Sequence, residues 1–138
     1  MAHTTEITVD WGDTDAGGLI YYPRFFHFVI VGLNDYFRLA TDGEHPMEWY
    51  RRAGYVLPAV EASASFHSPL RAGDEALLET TVVDSGTSSL TLAFAITRAA
   101  DDERVAEGEV SFVFVDDAFE ATPLPDEIRE CIRARGDA

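Results

Sequence analysis

Residues 5–11 alternate loosely between apolar and polar side chains, which predicts a strand. A polar run with glycines follows over 12–22. From Pro23 to Ala40 apolar positions fall on almost every side, among them Phe25, Phe28, Val29, Leu33, Tyr36, Phe37 and Leu39. Proline suits the first turn of a helix, so the spacing predicts a helix over 23–40. A helix that is apolar nearly all round has to be buried, and in a chain this short a sheet must wrap it. Thr41 to Pro46 reads as a polar turn, and 46–53 as a short helix ended by Gly54. Beyond it the period drops to two. Strands are predicted over 55–68, 76–84, 88–98 and 104–115, with Pro58 marking an edge or a bend in the first. The turns between them are short, which favours antiparallel hairpins. Residues 123–135 predict a terminal helix, with Asp126 and Glu127 early and Arg133 and Arg135 late, as the helix dipole prefers. The expected architecture is a single α+β domain over 1–138: one long helix and an antiparallel sheet of five strands.

The loop carries the densest chemistry. Gly12-Asp13-Thr14-Asp15-Ala16-Gly17-Gly18-Leu19 leads at once into Tyr21-Tyr22-Pro23. It places carboxylates beside the amino end of the predicted helix. A carboxylate and a helix amino terminus facing one space are two parts of an acyl-transfer site, a nucleophile or base and an oxyanion stabiliser. The plainer reading is that Asp13 and Asp15 only stabilise the turn through Asx-type hydrogen bonds. A calcium loop is excluded: the twelfth position from Asp13 is Arg24, where a bidentate Glu is needed, and no helix precedes the loop. Gly17 and Gly18 suit positions where a side chain would block the backbone or a close approach, or are ordinary loop glycines. Tyr21 is expected to pack.

Composition narrows the class of partner. The formal net charge is −15, from 25 acidic residues against 10 basic ones, and every basic residue is arginine. Such a surface repels nucleic acid and anionic membranes. The acidity fits a high-salt cytosol; it equally fits ordinary acidity encoded by a GC-rich genome. Cys131 is the sole cysteine, so an intrachain disulfide and a cysteine-rich zinc site are excluded, and the four histidines lie too far apart in sequence to argue for a metal. No apolar run reaches the ~20 residues of a membrane span, and the amino terminus lacks a secretory pattern, so a cytoplasmic protein is expected.

The loop segment resembles the opening motif of the 4-hydroxybenzoyl-CoA thioesterase family, and Ala64-Ser65-Phe66-His67-Ser68-Pro69-Leu70-Arg71-Ala72-Gly73-Asp74 resembles a later part of it. The resemblance covers residues 4–120. It implies the hot-dog fold, pairing of sheets in a homodimer or homotetramer, and an active site at the subunit interface. It also implies hydrolysis of an acyl-CoA to free acid and CoA without metal or redox cofactor, CoA being part of the substrate. The second Asp of the motif is the family's catalytic carboxylate and falls on Asp15, while Asp13 shapes the loop. Pro23 has no N–H, so Tyr22 is the backbone donor for the oxyanion. Asp15 would attack the carbonyl or activate water, and either role needs the carboxylate, which a helix amino end favours. His67 is similar to the family's strand residue near the site; a structural histidine is the equal alternative. A Ser–His–Asp triad through Ser63, Ser65 or Ser68 lacks a nucleophile-elbow pattern. For the CoA phosphates, the turn that is basic in relatives is here Ser85-Gly86-Thr87-Ser88-Ser89, so hydroxyls such as Ser88 and the candidate cations Arg71, Arg98 and Arg24 are left. A carrier protein bearing pantetheine is disfavoured, because carriers and this chain are both acidic. The rivals are a non-hydrolytic acyl-CoA-binding protein and a hydratase or dehydratase of 3-hydroxyacyl thioesters. Asp15 with His67 fits the latter poorly.

Overall fold

A computed structural model describes residues 2–137. Five strands form one antiparallel sheet: β1 (His3–Thr8), β2 (Ala59–Phe66), β3 (Glu75–Ser85), β4 (Ser89–Arg98) and β5 (Arg104–Val113), in the spatial order β1-β3-β4-β5-β2. Three helices accompany them: α1 (Arg24–Phe37), α2 (Pro46–Ala53) and α3 (Asp126–Ala134). The α+β architecture with five strands is the one expected from the residue pattern.

Alternation makes one face of the sheet the core. On β3, Ala76, Leu78, Thr80 and Val82 are buried, and on β4 so are Leu90, Leu92, Phe94 and Ile96. The residues between them face solvent, as a half-buried sheet requires. Helix α1 lies on β1 and β3 and buries Phe25, Phe28, Val29, Leu33, Tyr36 and Phe37. Each such large apolar side chain contributes about 1.5–3 kcal/mol when taken out of water. Gly32 sets the approach: a Cβ there would sit 2.6 Å from Leu78 Cδ2 and from Thr80 Oγ1. The helix backbone therefore seats directly on β3.

The helix is not wrapped on all sides, contrary to expectation. His27 and Val31 are exposed, and Phe26 and Ile30 only half-buried. The sheet covers one face, and in a single chain little covers the other. The α-helix also stops at Phe37; Arg38–Thr41 tightens into a 3-10 turn that swings Leu39 into solvent, at 79% exposure. Helix α2 runs 46–53, the range expected from the sequence. The His45 ring accepts the Met47 N–H, and Gly54 ends the helix with φ +85°. Strand β1 ends at Thr8, earlier than expected, because Trp11–Asp13 forms a 3-10 turn.

Strand β2 lies at the sheet edge, where its only strand partner among the described residues is β5. That pairing depends on Gly108, opposite Ala64. A Cβ at Gly108 would fall 2.0 Å from the Ser63 carbonyl oxygen and 2.8 Å from Ala64 Cα. Backbone cannot yield there as a side chain can. The Gly108→Ala protein is expected to lose about 3 kcal/mol or more of stability, read from the denaturant midpoint; an unchanged midpoint would show that β2 is not held in this register.

Candidate functional site

The glycine loop folds back as a small ribbon. Thr14 and Ile20 form an antiparallel bridge, Asp15 N–H donates to Leu19 O at 3.0 Å, and Tyr21 N–H donates to Asp13 O at 2.8 Å. A third segment joins it: Leu19 bridges Arg71, and Ile20 N–H donates to Leu70 O at 2.8 Å. Ile20 and Leu70 point into the core, at 8% and 0% exposure, while Leu19 faces solvent. The ribbon thus has a buried side that anchors it and an open side.

Asp13 fixes the ribbon to α1. Its carboxylate is buried, accepts the Asp10 N–H at 2.9 Å through Oδ2, and takes Arg24 Nη2 and Nε at 2.6 and 2.9 Å on Oδ1. Burial works against its ionisation, but the Asp10 N–H and the Arg24 guanidinium outweigh it and hold the carboxyl below its ordinary value. Arg24, considered from the sequence as a cation for phosphate, is engaged here instead. So is Arg98, which pairs with Asp101 at 3.0 Å.

Asp15 is exposed on the open side. Its Oδ1 accepts the Gly17 N–H at 2.9 Å, the Asx turn of the plainer reading; its Oδ2 has no partner among the described residues. Both glycines matter for this. A Cβ at Gly17 would lie 3.1 Å from Asp15 Oδ1, and Gly18 sits at φ +80°, a region L side chains rarely adopt. After the loop, the N–H groups of Arg24, Phe25 and Phe26 donate to the carbonyls of Tyr21, Tyr22 and Pro23. The Tyr22 N–H has no acceptor among the described residues. One carboxylate oxygen and one helix-end N–H, on the same short ribbon, are thus left without partners.

The side chain of Tyr22 is 62% exposed and packs edge-on against Phe66, whose ring in turn lies 5.1 Å from Phe25. Phe66 was missed by the sequence reading; it ends β2 one residue before His67 and places the edge strand beside the loop. Tyr21, expected to pack, is 50% exposed.

Other predicted site residues are not gathered at Asp15. The His67 ring lies 3.2 Å from Glu107 Oε1, at the sheet edge, and no contact to Asp15 is present. Ser88 sits in the β3–β4 turn, about 35 Å along β3 from the Arg71–Asp74 turn. There the Gly86 and Thr87 carbonyls accept from Arg129 on α3. Within one chain Ser88 therefore belongs to a different end of the molecule. Arg71 does adjoin the loop, through its bridge to Leu19. Among the described residues no group of three or more histidine, cysteine or carboxylate side chains is placed to hold a metal, and no helix is long and apolar enough to cross a membrane.

A folded-state pKa below the unfolded value gives stability that is present above about pH 4 and lost as pH falls through the lower value. The Asp13→Asn protein is therefore expected to be less stable than wild type at pH 7, with the difference narrowing below about pH 4. Denaturant midpoints at the two pH values check this. A constant difference would mean that the Asp13 charge is not what holds the loop.

Comparison with known proteins adds a lineage to this geometry. A 1,4-dihydroxy-2-naphthoyl-CoA hydrolase of Thermosynechococcus vestitus is 33% identical over 67 residues, 49% of this chain and 44% of that protein, so the match spans less than half of the relative. Among solved structures, a 1,4-dihydroxy-2-naphthoyl-CoA thioesterase from Synechocystis superposes with a TM-score of 0.86 at 21% identity, over 100% of both chains. A gentisyl-coenzyme A thioesterase superposes with a TM-score of 0.82 at 22% identity, over 94% of this chain and 99% of that one. These two establish the fold as the hot dog. Residues 9–132 match the thioesterase-like superfamily, and the chain belongs to that family.

Proposed function

We propose that the protein hydrolyses an acyl-CoA thioester to a free acid and CoA, at Asp15 and the Tyr22 N–H. The observation that carries this reading is the pair left without partners on the ribbon: Asp15 Oδ2 and the N–H at the start of α1. A thioester carbonyl placed between them would direct its oxygen at Tyr22 N–H and present its carbon to Asp15. The amino end of α1 adds its dipole to the developing negative charge. Asp15 either adds to the carbonyl, and the intermediate breaks its C–S bond to expel CoA thiolate and leave an anhydride that water then opens, or takes a proton from attacking water, whose adduct expels CoA thiolate in the same way. The relatives' names point the same way, and the aromatic acyl groups in those names make aromatic acyl-CoAs the first to try.

A hydratase would need a second acid or base at the carbonyl's neighbour carbons, and His67, the nearest candidate by sequence, is engaged with Glu107. A purely binding role leaves the free Asp15 oxygen without a task. Turnover of a panel of aromatic and aliphatic acyl-CoAs, followed by thiol release, is the test. The Asp15→Asn protein is expected to fold as wild type and to lose about 10²–10⁴-fold in kcat. Release of thiol at an undiminished rate would remove Asp15 from the mechanism, and an enoyl product would replace hydrolysis by dehydration.

The same reading includes a second copy of the chain. In one chain the site lies open, with Asp15 exposed and Tyr22 62% exposed. Beside it runs the free edge of β2, on which Val60 is 62% and Phe66 47% exposed. An edge this long and apolar is unstable to pairing, and antiparallel addition of the partner's β2 would cover it and exclude water from the carbonyl. The wild-type protein is expected to sediment as a dimer or a dimer of dimers, and Val60→Lys to shift it toward monomer with loss of turnover. A wild-type monomer with full activity would dispense with the partner.

A further inference from the structure

The charge pairing of the whole surface singles out one arginine. Of the ten arginines, seven face a carboxylate within 4.0 Å. Arg129 donates to two main-chain carbonyls, and Arg135 donates to the Tyr36 carbonyl and lies 4.2 Å from its ring centre. The Arg71 guanidinium alone has no partner among the described residues. This is unexpected in a chain of formal charge −15, where an exposed cation has carboxylates at hand in most directions. Even Asp74, three residues away, directs its carboxylate to the Arg71 main-chain N–H, at 2.8 Å, and not to its guanidinium.

The position of Arg71 gives the vacancy a meaning. The Thr14–Ile20 bridge sets Asp15 opposite Leu19, and Leu19 is bridged in turn to Arg71. Residues paired across neighbouring strands project from the same face. Asp15, Leu19 and Arg71 thus share the open face, while Ile20 and Leu70, the next residues along, are buried on the other. Two strand spacings put the Arg71 backbone about 10 Å from that of Asp15. The turn that presents Arg71 is itself held by the Arg71 N–H to Asp74 and by Asp74 N–H to Arg71 O at 3.0 Å, both main-chain contacts of Arg71. The side chain is free to serve a ligand without loosening the fold.

We propose that Arg71 binds an anionic oxygen group of the thioester substrate, a CoA phosphate or a carboxylate on the acyl part. This rests on the thioesterase reading and adds the substrate's anchoring charge to it. An acidic protein repels a polyanionic substrate at long range, so a local unpaired guanidinium recovers affinity where it is needed. Guanidinium suits both groups, because its parallel N–H donors match phosphate and carboxylate oxygens in pairs.

The test compares wild type, Arg71→Gln and Arg71→Lys on three substrates: an uncharged acyl-CoA, the same acyl group on pantetheine without phosphates, and a carboxyacyl-CoA. Arg71→Gln is expected to raise KM about tenfold with a much smaller change in kcat, as removal of uniform binding does. Arg71→Lys should recover part of the loss, which a merely structural role would not. If a phosphate is bound, the penalty appears with both CoA esters and vanishes with acyl-pantetheine. If the acyl carboxylate is bound, it appears only with the carboxyacyl-CoA. Equal KM values for wild type and Arg71→Gln on all three substrates would overturn the proposal. Equilibrium titration with CoA and with the carboxyacyl-CoA, using the Asp15→Asn protein with and without Arg71→Gln, reads the same contact without turnover. It thereby separates failure of the anchor from failure of the hydrolase reading, and affinities unchanged for both ligands would again overturn the anchor.

Discussion

Everything at the open site depends on the pairing of Asp13 with Arg24. A buried carboxylate without a partner is costly, so Asp13 can sit under the loop only if a cation reaches it. That cation comes from the first turn of α1, eleven residues on, and its arrival ties the ribbon to the helix. The consequence is geometric. With Asp13 fixed, Tyr21 N–H finds Asp13 O, the helix starts at a defined place, and Tyr22 N–H is left without an acceptor among the described residues. Asp15, two residues from the clamp, is oriented by the Gly17 N–H. The proposed site, one side-chain oxygen and one main-chain N–H, would have no redundancy, and its precision would come from this clamp and from the Ile20 and Leu70 anchors below it.

The sheet carries that precision to the rest of the molecule. Gly32 lets α1 rest on Leu78 and Thr80, so the helix cannot slide along β3 without a steric cost. Gly108 lets β2 approach β5, so the edge strand arrives beside Tyr22 with Phe66 at its end. The uncovered parts of the molecule then fall together: the open ribbon, the exposed edge of β2 and the half-buried face of α1. A chain that leaves its site and a strand edge exposed side by side is suited to completion by a second copy.

Much of this was legible in the order of residues. Helix α2 could be read with its limits because its signals are local: a polar turn up to Pro46 at one end and Gly54 at the other. Strands β3 and β4 could be read because one face of each is buried in alternation, and β5 because its second half, through Val110 and Phe112, alternates likewise. The carboxy end of α1 could not, since hydrophobicity alone carries Leu39 into the helix and does not reveal the 3-10 turn that exposes it. Nor could the wrapping of α1, because Phe26, Ile30 and Val31 look as apolar as the residues that meet the sheet. Asp15, Gly17, Gly18 and Tyr22, the residues of the proposed site, form one contiguous segment and so could be named together from the sequence. What was invisible is what depends on pairing across distance: Arg24 going to Asp13, His67 to Glu107 forty residues away, and Arg71 to nothing. Three arginines that looked equivalent as phosphate partners are separated only by which carboxylates the fold brings to them.

The proposed reaction requires a thioester carbonyl docked between Asp15 and the Tyr22 N–H. A crystal structure with a non-hydrolysable acyl-CoA analogue, in which a methylene group replaces the thioester sulfur and the carbonyl is kept, tests this directly. The carbonyl oxygen is expected within about 3 Å of Tyr22 N, and its carbon about 3–3.5 Å from an Asp15 oxygen or from a water held by it. An analogue bound with its carbonyl elsewhere, such as in the groove between Leu39 and Cys131 of α3, would contradict it.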